Sequence, residues 1–545
     1  MKKKLLHVIA IFLFSCSSYI ASAQFNSDSS QTYFVCNATG AQSSVSSFGD
    51  GFGGTYSFWL DKRNGLTGTA IYGQHMDSLG NPEWAANGQL FFQENAKEVW
   101  LMKAIAWQNG ILLSWVQGGF GIGGDTLYCN YYDANGSSQW AQPVVVGNKQ
   151  GNIIYVSIDN LDIFPNDSGA TVTFGLTQSG GSTYFSYNRI DFNGNLRWPL
   201  DSTAYYGNGY YYQTAADNFG GFYIAASTGG IGTHIYVGHI DFDGNSTISS
   251  PVDICGTVGG RNNSPWKVVC DSDTNAYVIW ANNPSLDISL TKIEPDGTLS
   301  WGGPITVCSA SGTQENPDMI MHDGSIYAIW NDGRPGANFY YIYMQKLDTS
   351  GTAQWSPDGI LLSDLPSNSP SPKVVGAGSN VVGTYIVNST FRAQQVRPDS
   401  SLVWHTNGVV INVNNLPYYA DYNLVSSTTG SVTAIWKENG DNICATRVQP
   451  NGILTTIPSR NNKSFALYPN PVSHQLILSV ENCSIGDYNI RIYNSTGAEV
   501  FTCSEKNSFS EFSRTISVTD FPAGLYSIAV QTSGSLNTQN FVVVK

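Results

Sequence analysis

A unit of roughly 53 residues recurs along most of this chain, and it constrains the fold more than any other feature. Each unit contains a turn of the form Asp-x-x-Gly, or a degenerate copy of it, and tryptophan usually stands four residues after that turn. The turns end at positions 80, 136, 194, 244, 297, 351, 400 and 452, which are 49 to 58 residues apart. Eight units therefore fill the region from about residue 25 to residue 458.

Tryptophan marks two positions of this unit, one at the end of an apolar strand and one after the turn. The first position holds Trp59, Trp115, Trp280, Trp330 and Trp436, and the second holds Trp84, Trp140, Trp198, Trp301, Trp355 and Trp404. Eleven of the 14 tryptophans thus belong to the repeat. The turn itself suits a β-hairpin, because aspartate caps it with its side chain and glycine accepts a positive φ.

A four-stranded unit of this size cannot bury both of its faces alone, so neighbouring units must stack. The repeat predicts an all-β fold with an eight-unit β-propeller of seven or eight blades, which resembles no identified propeller family. The indoles would pack between neighbouring sheets. Residues 33–36 are predicted to close the ring beside residues 442–444, which would bring Cys36 near Cys444. Seven blades would result if an end unit only completes another unit.

The N-terminus has the pattern of an export signal. Three lysines at positions 2–4 precede an apolar run, and the small residues of 21–23 favour cleavage between Ala23 and Gln24. The run is too short to span a bilayer; the alternative is a lipoprotein box ending at Cys16. Removing residues 1–23 takes away three lysines and no acid, so the formal charge falls from −14 to −17. Such a surface repels phosphate backbones, and nucleic acid is not an expected partner.

A polar linker at 459–463 separates the repeat, residues 24–458, from a tail at 464–545. The tail reads as about seven short strands, the pattern of a small Ig-like β-sandwich. Its landmarks occur in order up to the end of the chain: Tyr468, Pro469, Asn470, Pro471, Gly497, Pro522, Ala523, Gly524, Leu525 and Tyr526. This ordered set resembles the type A C-terminal sorting domain of the type IX secretion system (Por system) of Bacteroidetes.

The resemblance implies a destination and partners. It implies transit through the periplasm to the extracellular space or the outer-membrane surface, with the type IX secretion machinery as a partner. It also implies removal of the tail by a sortase-like peptidase and attachment of the remainder to surface lipopolysaccharide. The alternative is an accessory Ig-like sandwich with no sorting role.

Two features of the repeat region are candidates for ligand binding. The segments around Asp61 with Arg63 and Asp332 with Arg334 share the pattern Trp-x-Asp-x-Arg. Such a pair can engage sugar hydroxyls, but the structural role of making a loop rigid or joining two blades is the favoured interpretation. The tyrosine run 205–212, with Tyr210 and Tyr211, is a second candidate, because exposed tyrosines at a rim stack on sugars or anchor protein contacts.

No cofactor is predicted. Asp271, Asp273 and Asn275 have a spacing that can offer oxygens to calcium, but the segment aligns with the hairpin turns at 50–54 and 217–221, and no glutamate follows. The histidines lack metal-ligand spacing. The eight cysteines outside residues 1–23 are scattered, and Cys483–Cys503 is the disulfide to test first.

The recurrent residues are explained by packing and turns, which leaves no catalytic set. The turn resembles the Asp-box of sialidases, but glycine follows aspartate by three residues instead of two. The sequence therefore favours a non-catalytic binding or adhesion module for glycan or protein. One alternative is a glycan-active or other hydrolytic propeller enzyme with its site in the axial pocket. Another is a structural or adhesion component with no small ligand.

Overall fold

The computed structural model describes most of the chain between residues 28 and 545, and the following account is of those residues. They are 28–63, 68–94, 97–118, 125–148, 151–152, 161–166, 168–178, 183–199, 202–204, 209–228, 234–255, 267–282, 286–334, 336, 339–367, 371–454, 465–480, 486–494, 498–507, 512–531 and 536–545. All of the regular secondary structure in them is β-strand. Two compact units are present, one of them Gln24–Thr456 and the other containing Ile457–Lys545.

The larger unit contains eight antiparallel sheets, numbered here in chain order. The opening strand β1 (Tyr33–Cys36) belongs to the last of them. Sheet 1 contains β2 (Gln42–Gly49), β3 (Thr55–Asp61), β4 (Ala70–Met76) and β5 (Gln89–Gln93). Sheet 2 contains β6 (Glu98–Trp107), β7 (Gly110–Gly118), β8 (Thr126–Asp133) and β9 (Val144–Gly147). Sheet 3 contains β10 (Gly151–Asn152), β11 (Asp162–Asn166), β12 (Gly169–Gln178), β13 (Thr183–Asp191) and β14 (Ser202–Ala204).

The remaining sheets repeat this order. Sheet 4 contains β15 (Gly209–Ala216), β16 (Phe222–Thr228), β17 (Ile235–Ile240) and β18 (Val252–Asp253). Sheet 5 contains β19 (Lys267–Cys270), β20 (Ala276–Asn282), β21 (Asp287–Ile293) and β22 (Ile305–Cys308). Sheet 6 contains β23 (Gln314–His322), β24 (Ser325–Asp332), β25 (Tyr340–Leu347) and β26 (Ile360–Ser367). Sheet 7 contains β27 (Lys373–Ala377), β28 (Asn380–Val387), β29 (Thr390–Val396) and β30 (Val409–Asn412). Sheet 8 contains β31 (Pro417–Ser426), β32 (Val432–Glu438), β33 (Ile443–Val448) and β1.

The first strand of each sheet contacts the first strands of its neighbours in chain order. In sheet 3 this strand is β11, and β31 of sheet 8 contacts β2 of sheet 1. Two side chains of sheet 8 bond to sheet 1: Asn423 donates to the carbonyl of Val45 at 2.9 Å, and Arg447 donates to the carbonyls of Gly53 and Ser78. These contacts make a continuous circuit of neighbouring sheets.

The predicted closing strand is confirmed. Strand β1 pairs antiparallel with β33, with Phe34 opposite Cys444 and Cys36 opposite Ile443, and it becomes the fourth strand of sheet 8. Cys36 and Cys444 are both buried as free thiols, but they belong to different clusters of core residues. Strand pairing therefore brings the two cysteines close along the sheet without joining them.

The tryptophans at the first repeat position form the centre of the packing between sheets. Trp59, Trp115, Trp330 and Trp436 are fully buried, and Trp280 is 1% exposed. Indoles at the second position lie nearer the surface and donate to the turn of the next sheet. Trp140 donates Nε1–H to the carbonyl of Phe192 at 3.1 Å, and Trp198, Trp355 and Trp404 repeat this bond to Asp243, Pro398 and Pro450 at 2.9, 3.0 and 3.0 Å.

The Asp-x-x-Gly turns require glycine for two reasons. Gly244 has φ of 87°, which a side chain rarely adopts. A Cβ at this position would also lie 2.5 Å from the Trp198 ring of the preceding sheet. Glycine therefore both forms the hairpin and lets the neighbouring indole pack against it.

The hairpins between the first two strands of sheets 1, 4 and 5 are capped by aspartate. In sheet 4, the Oδ1 atom of Asp217 accepts the N–H groups of Phe219 and Gly221, both at 2.8 Å, and Oδ2 lies 3.0 Å from Nε2 of His239. Both side chains of the Asp217–His239 pair are almost fully buried. Burial raises the pKa of Asp217, but the hydrogen bond from His239 and those from the backbone outweigh it, so the pKa lies below its usual 3.8.

We expect this carboxylate to make the larger unit acid-sensitive. A depressed pKa in the folded state stabilises the protein above the unfolded pKa, and the contribution is lost as pH falls below about 3.8 through the folded value. Asp217→Asn should lower the melting temperature at pH 7 by about 2–4 °C, and the difference from wild type should shrink at acid pH. Circular dichroism melts across pH test this. The matched control is Asp243→Asn, whose side chain is 64% exposed and which should change little; a constant difference at every pH would contradict the expectation.

The smaller unit consists of a three-stranded and a four-stranded sheet. The first contains β34 (Phe465–Tyr468), β35 (Gln475–Val480) and β38 (Phe512–Ser517). The second contains β36 (Gly486–Asn494), β37 (Glu499–Asn507), β39 (Gly524–Gln531) and β40 (Leu536–Val543). Buried residues of both sheets, among them Leu478, Ile492 and Ile528, form one core. The seven strands agree with the predicted sandwich.

Nowhere in the described ranges does a helix have the length and apolar character needed to cross a lipid bilayer.

Candidate functional site

A cavity of about 800 Å³ is lined by residues on and beside the first strands of sheets 2 to 7. Its wall combines apolar residues of β15, β19 and β23 with five charged side chains. These are Lys103, Asp162, Lys267, Asp318 and Lys373. Three cations and two carboxylates face one space in a chain whose net charge is −14, so the cavity wall is locally positive.

The charged residues occupy one position of the repeat. In every sheet, the residue four places before the first hairpin turn pairs with a residue near the middle of the second strand. The partner is the fourth residue of that strand in sheets 1, 4, 5 and 8 and the fifth in sheets 2, 3, 6 and 7. All eight are polar, and we call them the polar ring: Ser46, Lys103, Asp162, Gln213, Lys267, Asp318, Lys373 and Asn423. The six members from Lys103 to Lys373 line the cavity.

Most members of the polar ring bond to a neighbouring sheet. Lys103 forms an ion pair with Asp162 at 3.3 Å, and Asp162 also accepts the hydroxyl of Thr214 at 2.6 Å. Asp318 accepts the N–H of Val374 at 2.9 Å, and Lys373 donates to the carbonyl of Tyr422 at 2.7 Å. These bonds hold all four charged side chains to a partner on a neighbouring sheet.

Gln213 and Lys267 differ from the other members. They stand on adjacent sheets, both are partly exposed, and neither side chain bonds to a residue that the structure describes. Lys267 begins β19, and Gln213 lies in the middle of β15. One amide and one ammonium group therefore line the cavity without a hydrogen-bonding or ion-pair partner among the described residues.

An aromatic groove of about 430 Å³ adjoins the cavity at sheets 3 and 4. Phe164, Ala216 and Asn218 line both spaces, so they are continuous. Phe219 and Phe242 form the rest of its aromatic lining, and the Phe219 side chain is 67% exposed. An exposed phenyl ring next to polar groups offers a flat apolar surface to a ligand.

The groove depends on a buried arginine. Arg189 of sheet 3 donates to the carbonyls of Gly220 and Phe242, and its guanidinium lies 4.0 Å from the Phe242 ring centroid. Gly220 has φ of 91°, and a Cβ there would lie 2.6 Å from the Phe242 ring. Burial, with the nearby Arg197, lowers the pKa of Arg189 to about 10, so it remains cationic at neutral pH.

The two Trp-x-Asp-x-Arg segments form the same closed network. Asp332 has a fully buried side chain, accepts Nε1–H of Trp330 at 2.9 Å and binds Arg334 through both oxygens at 2.8 and 2.7 Å. Arg334 also donates to the carbonyl of Asp358 at 2.8 Å and lies over the Tyr343 ring.

Sheet 1 repeats this network. Asp61 accepts from Trp59 and Arg63, and Arg63 donates to Asn87 at 2.7 Å. The carboxylates are occupied by protein donors, and none of Asp61, Arg63, Asp332 and Arg334 lines the cavity or the groove.

The candidate calcium ligands lie in a capped hairpin. Oδ1 of Asp271 accepts the N–H groups of Asp273 and Asn275, both at 2.9 Å, and Oδ2 accepts the hydroxyl of Tyr277 at 2.9 Å. This is the arrangement found at Asp50 and Asp217. Within the described ranges, no group of three or more His, Cys, Asp or Glu side chains is placed to hold a metal ion.

Other sequence candidates are placed only in part. Tyr210 and Tyr211 lie in β15, the strand that also carries Gln213. Ala23, Gln24, Gly497 and Cys483 lie outside the described residues, so the structure does not bear on the cleavage site or on the Cys483–Cys503 pairing.

Sequence reasoning missed the polar ring, although a signal was present. A polar residue stands four places before the first turn of each unit. Its charges vary from unit to unit, so they do not appear as a motif.

The landmark residues of the tail connect its first and last strands. Asn470 accepts the N–H of Val542 at 2.9 Å through its side chain, and the Tyr526 hydroxyl donates to the carbonyl of Pro522 at 2.8 Å. Residues 466–545 match the family model of the secretion system C-terminal sorting domain. The tail is a type IX secretion sorting domain. Its presence implies export, contact with the type IX secretion machinery, and a cell-surface or extracellular location.

No curated protein matches the chain. Among solved structures, it is similar to a polysaccharide lyase, PL25 ulvan lyase, at 8% identity and a TM-score of 0.39, over 72% of this chain and 96% of that one. It is also similar to the Bacteroides ovatus xyloglucan PUL protein GH43B at 12% identity and a TM-score of 0.27, over 81% of this chain and 89% of that one. Prolyl oligopeptidase B from Galerina marginata is 10% identical, with a TM-score of 0.37 over 78% and 55%. Likenesses this distant carry no functional argument.

Proposed function

We propose that this chain is an exported binding protein whose eight sheets close into an eight-bladed β-propeller and hold a glycan or protein ligand in the axial cavity without catalysis. Residues 1–23 direct the chain to the periplasm and are removed before Gln24. The type IX machinery then carries residues 24–545 across the outer membrane. A sortase-like peptidase removes the tail, and the propeller is attached to surface lipopolysaccharide or released.

The cavity carries this proposal. Six first strands contribute to one space of about 800 Å³, a volume in the range of small-ligand sites. Its polar groups come from a single repeat position, so the closed ring itself creates the site. A ligand entering it would meet residues of several sheets at once.

The bonding of the two cavity carboxylates favours binding over catalysis. Asp162 is held by Lys103 and Thr214, and Asp318 by the N–H of Val374. Each carboxylate thus already accepts a hydrogen bond or ion pair from a neighbouring sheet. Their contribution is to hold neighbouring first strands together.

A hydrolytic enzyme is the second candidate. Asp162 and Asp318 stand on different sheets and line the same cavity, and glycoside hydrolysis generally uses two carboxyl groups on opposite sides of the bond. This observation is specific enough to require a direct test of turnover.

A glycan array and a panel of glycosidase, lyase and peptidase substrates on mature residues 24–545 test both candidates. We expect binding without turnover, and loss of binding in Ala216→Trp, because Ala216 lines both the cavity and the groove. Turnover abolished by Asp162→Asn or Asp318→Asn would replace the binding proposal with the enzyme. Binding that Ala216→Trp leaves intact would move the site away from the cavity.

A further inference from the structure

We infer that the ligand of the axial cavity is an acidic oligosaccharide, with a carboxylate bound between Gln213 and Lys267 and an adjoining sugar ring on Phe219. This inference rests on the proposed function, because it names the ligand class of the same cavity. Three independent observations support it: the charge balance of the wall, the position of its unpaired groups, and the aromatic groove beside them.

The charge balance selects an anion. Lys103 forms an ion pair with Asp162, and the cavity lining as a whole contains three lysines and two aspartates, which is one more cation than carboxylates. The surrounding chain is strongly acidic. A cationic cavity in an acidic protein attracts anions locally, while the outer surface disfavours large polyanions such as nucleic acid.

The positions of Gln213 and Lys267 indicate the side of the cavity at which the carboxylate of the ligand binds. Gln213 and Lys267 stand on adjacent sheets at the same level of the polar ring, and the amide donor of one and the ammonium of the other suit the two oxygens of a carboxylate. The other cavity lysines are already bonded, to Asp162 and to the carbonyl of Tyr422.

The aromatic groove selects a sugar over a simple organic acid. It adjoins the cavity at Ala216 and Asn218, on the strand and turn that follow Gln213, and its lining includes the exposed ring of Phe219. A ligand with its carboxylate at Lys267 therefore extends along sheet 4 onto a phenyl face. A pyranose ring has an apolar face that packs on such a ring.

The repeat supplies a control for each group. Phe52 holds the same place in the hairpin of sheet 1, is 89% exposed, and does not line the groove. Lys97 is an exposed lysine outside the cavity. Phe52→Ala and Lys97→Met thus make the same chemical changes as Phe219→Ala and Lys267→Met at positions that the inference leaves without a role.

Titration calorimetry of mature residues 24–545 with hexagalacturonate and with its fully methyl-esterified form tests the inference. The ester keeps the sugar rings and loses the charge, and we expect its affinity to be lower by a factor of about ten or more. Lys267→Met should lower the affinity for hexagalacturonate by a similar factor. Phe219→Ala should weaken the binding of both ligands. Phe52→Ala and Lys97→Met should leave the affinity for both ligands unchanged. Melting temperatures establish that each variant is folded.

Equal affinity for the acid and the ester would contradict the inference that the ligand is acidic. So would a Lys267→Met variant that binds hexagalacturonate as tightly as the wild type does. If Ala216→Trp still abolished binding, the proposed cavity site would stand. Tighter binding of an acidic peptide than of any oligouronate would contradict the inference that the ligand is an oligosaccharide. Absence of binding to every glycan and peptide probe would overturn both the inference and the proposed function.

Discussion

Deleting residues 464–545 is expected to abolish surface display and to leave the rest of the protein in the periplasm. The reason is the division of the chain: the sorting domain match covers residues 466–545, and this part has a hydrophobic core of its own. Protease accessibility on whole cells and fractionation, each followed with an antibody to the larger unit, measure the outcome. The surface signal should fall to that of cells lacking the gene.

The reciprocal experiment is the control for a folding defect. Residues 459–545 joined to a periplasmic carrier protein should bring that carrier to the surface, and the truncated chain in the periplasm should keep the melting temperature of its larger unit. Normal surface display of the truncated chain would refute the sorting role and leave the tail as an accessory sandwich.

Asp332→Ala is expected to destabilise the larger unit by about 3–5 kcal/mol, because it leaves the partly buried Arg334 guanidinium without its carboxylate. The same change removes the acceptor of the Trp330 indole and loosens the contact with Asp358. Thermal unfolding followed by tryptophan fluorescence measures it, since Trp330 lies within the affected core.

Two variants separate this network from a general effect of removing an aspartate. Asp273→Ala, in an exposed turn, should change stability by about 0.5 kcal/mol or less. Asp332→Ala with Arg334→Ala should cost less than the sum of the two single changes, because the double variant leaves no buried charge unpaired. Additive effects would show that Asp332 and Arg334 act independently.

Much of the larger unit could be predicted because its signals are local. A hairpin of the type Asp77–Gly80 is specified by its own residues, and tryptophan at a regular spacing indicates a buried position shared by all units. The pairing of β1 with β33 could also be predicted from the sequence, because the apolar strand at residues 33–36 has no partner in its own unit.

The candidate site was less accessible to sequence reasoning. Lys267 and Asp318 look like ordinary polar residues of two separate units, and nothing in either segment indicates that they share a cavity. By contrast, the recurrent residues Asp61 and Arg63 are bonded to each other, and Asp61 also accepts a hydrogen bond from Trp59. A motif that recurs in two sheets served packing, whereas the groups available to a ligand vary from sheet to sheet.

The sequence by itself determined the repeating β-sheets, the turns that join their strands and the sorting domain at the end, because each depends on residues close together in the chain. Only the tertiary structure decided which polar residues face a common space and which of them bond to other residues of the described ranges. The physical reason is that the first strands of sheets separated in sequence contact one another, and whether Lys267 is bonded depends on the side chains that those neighbouring sheets bring to it.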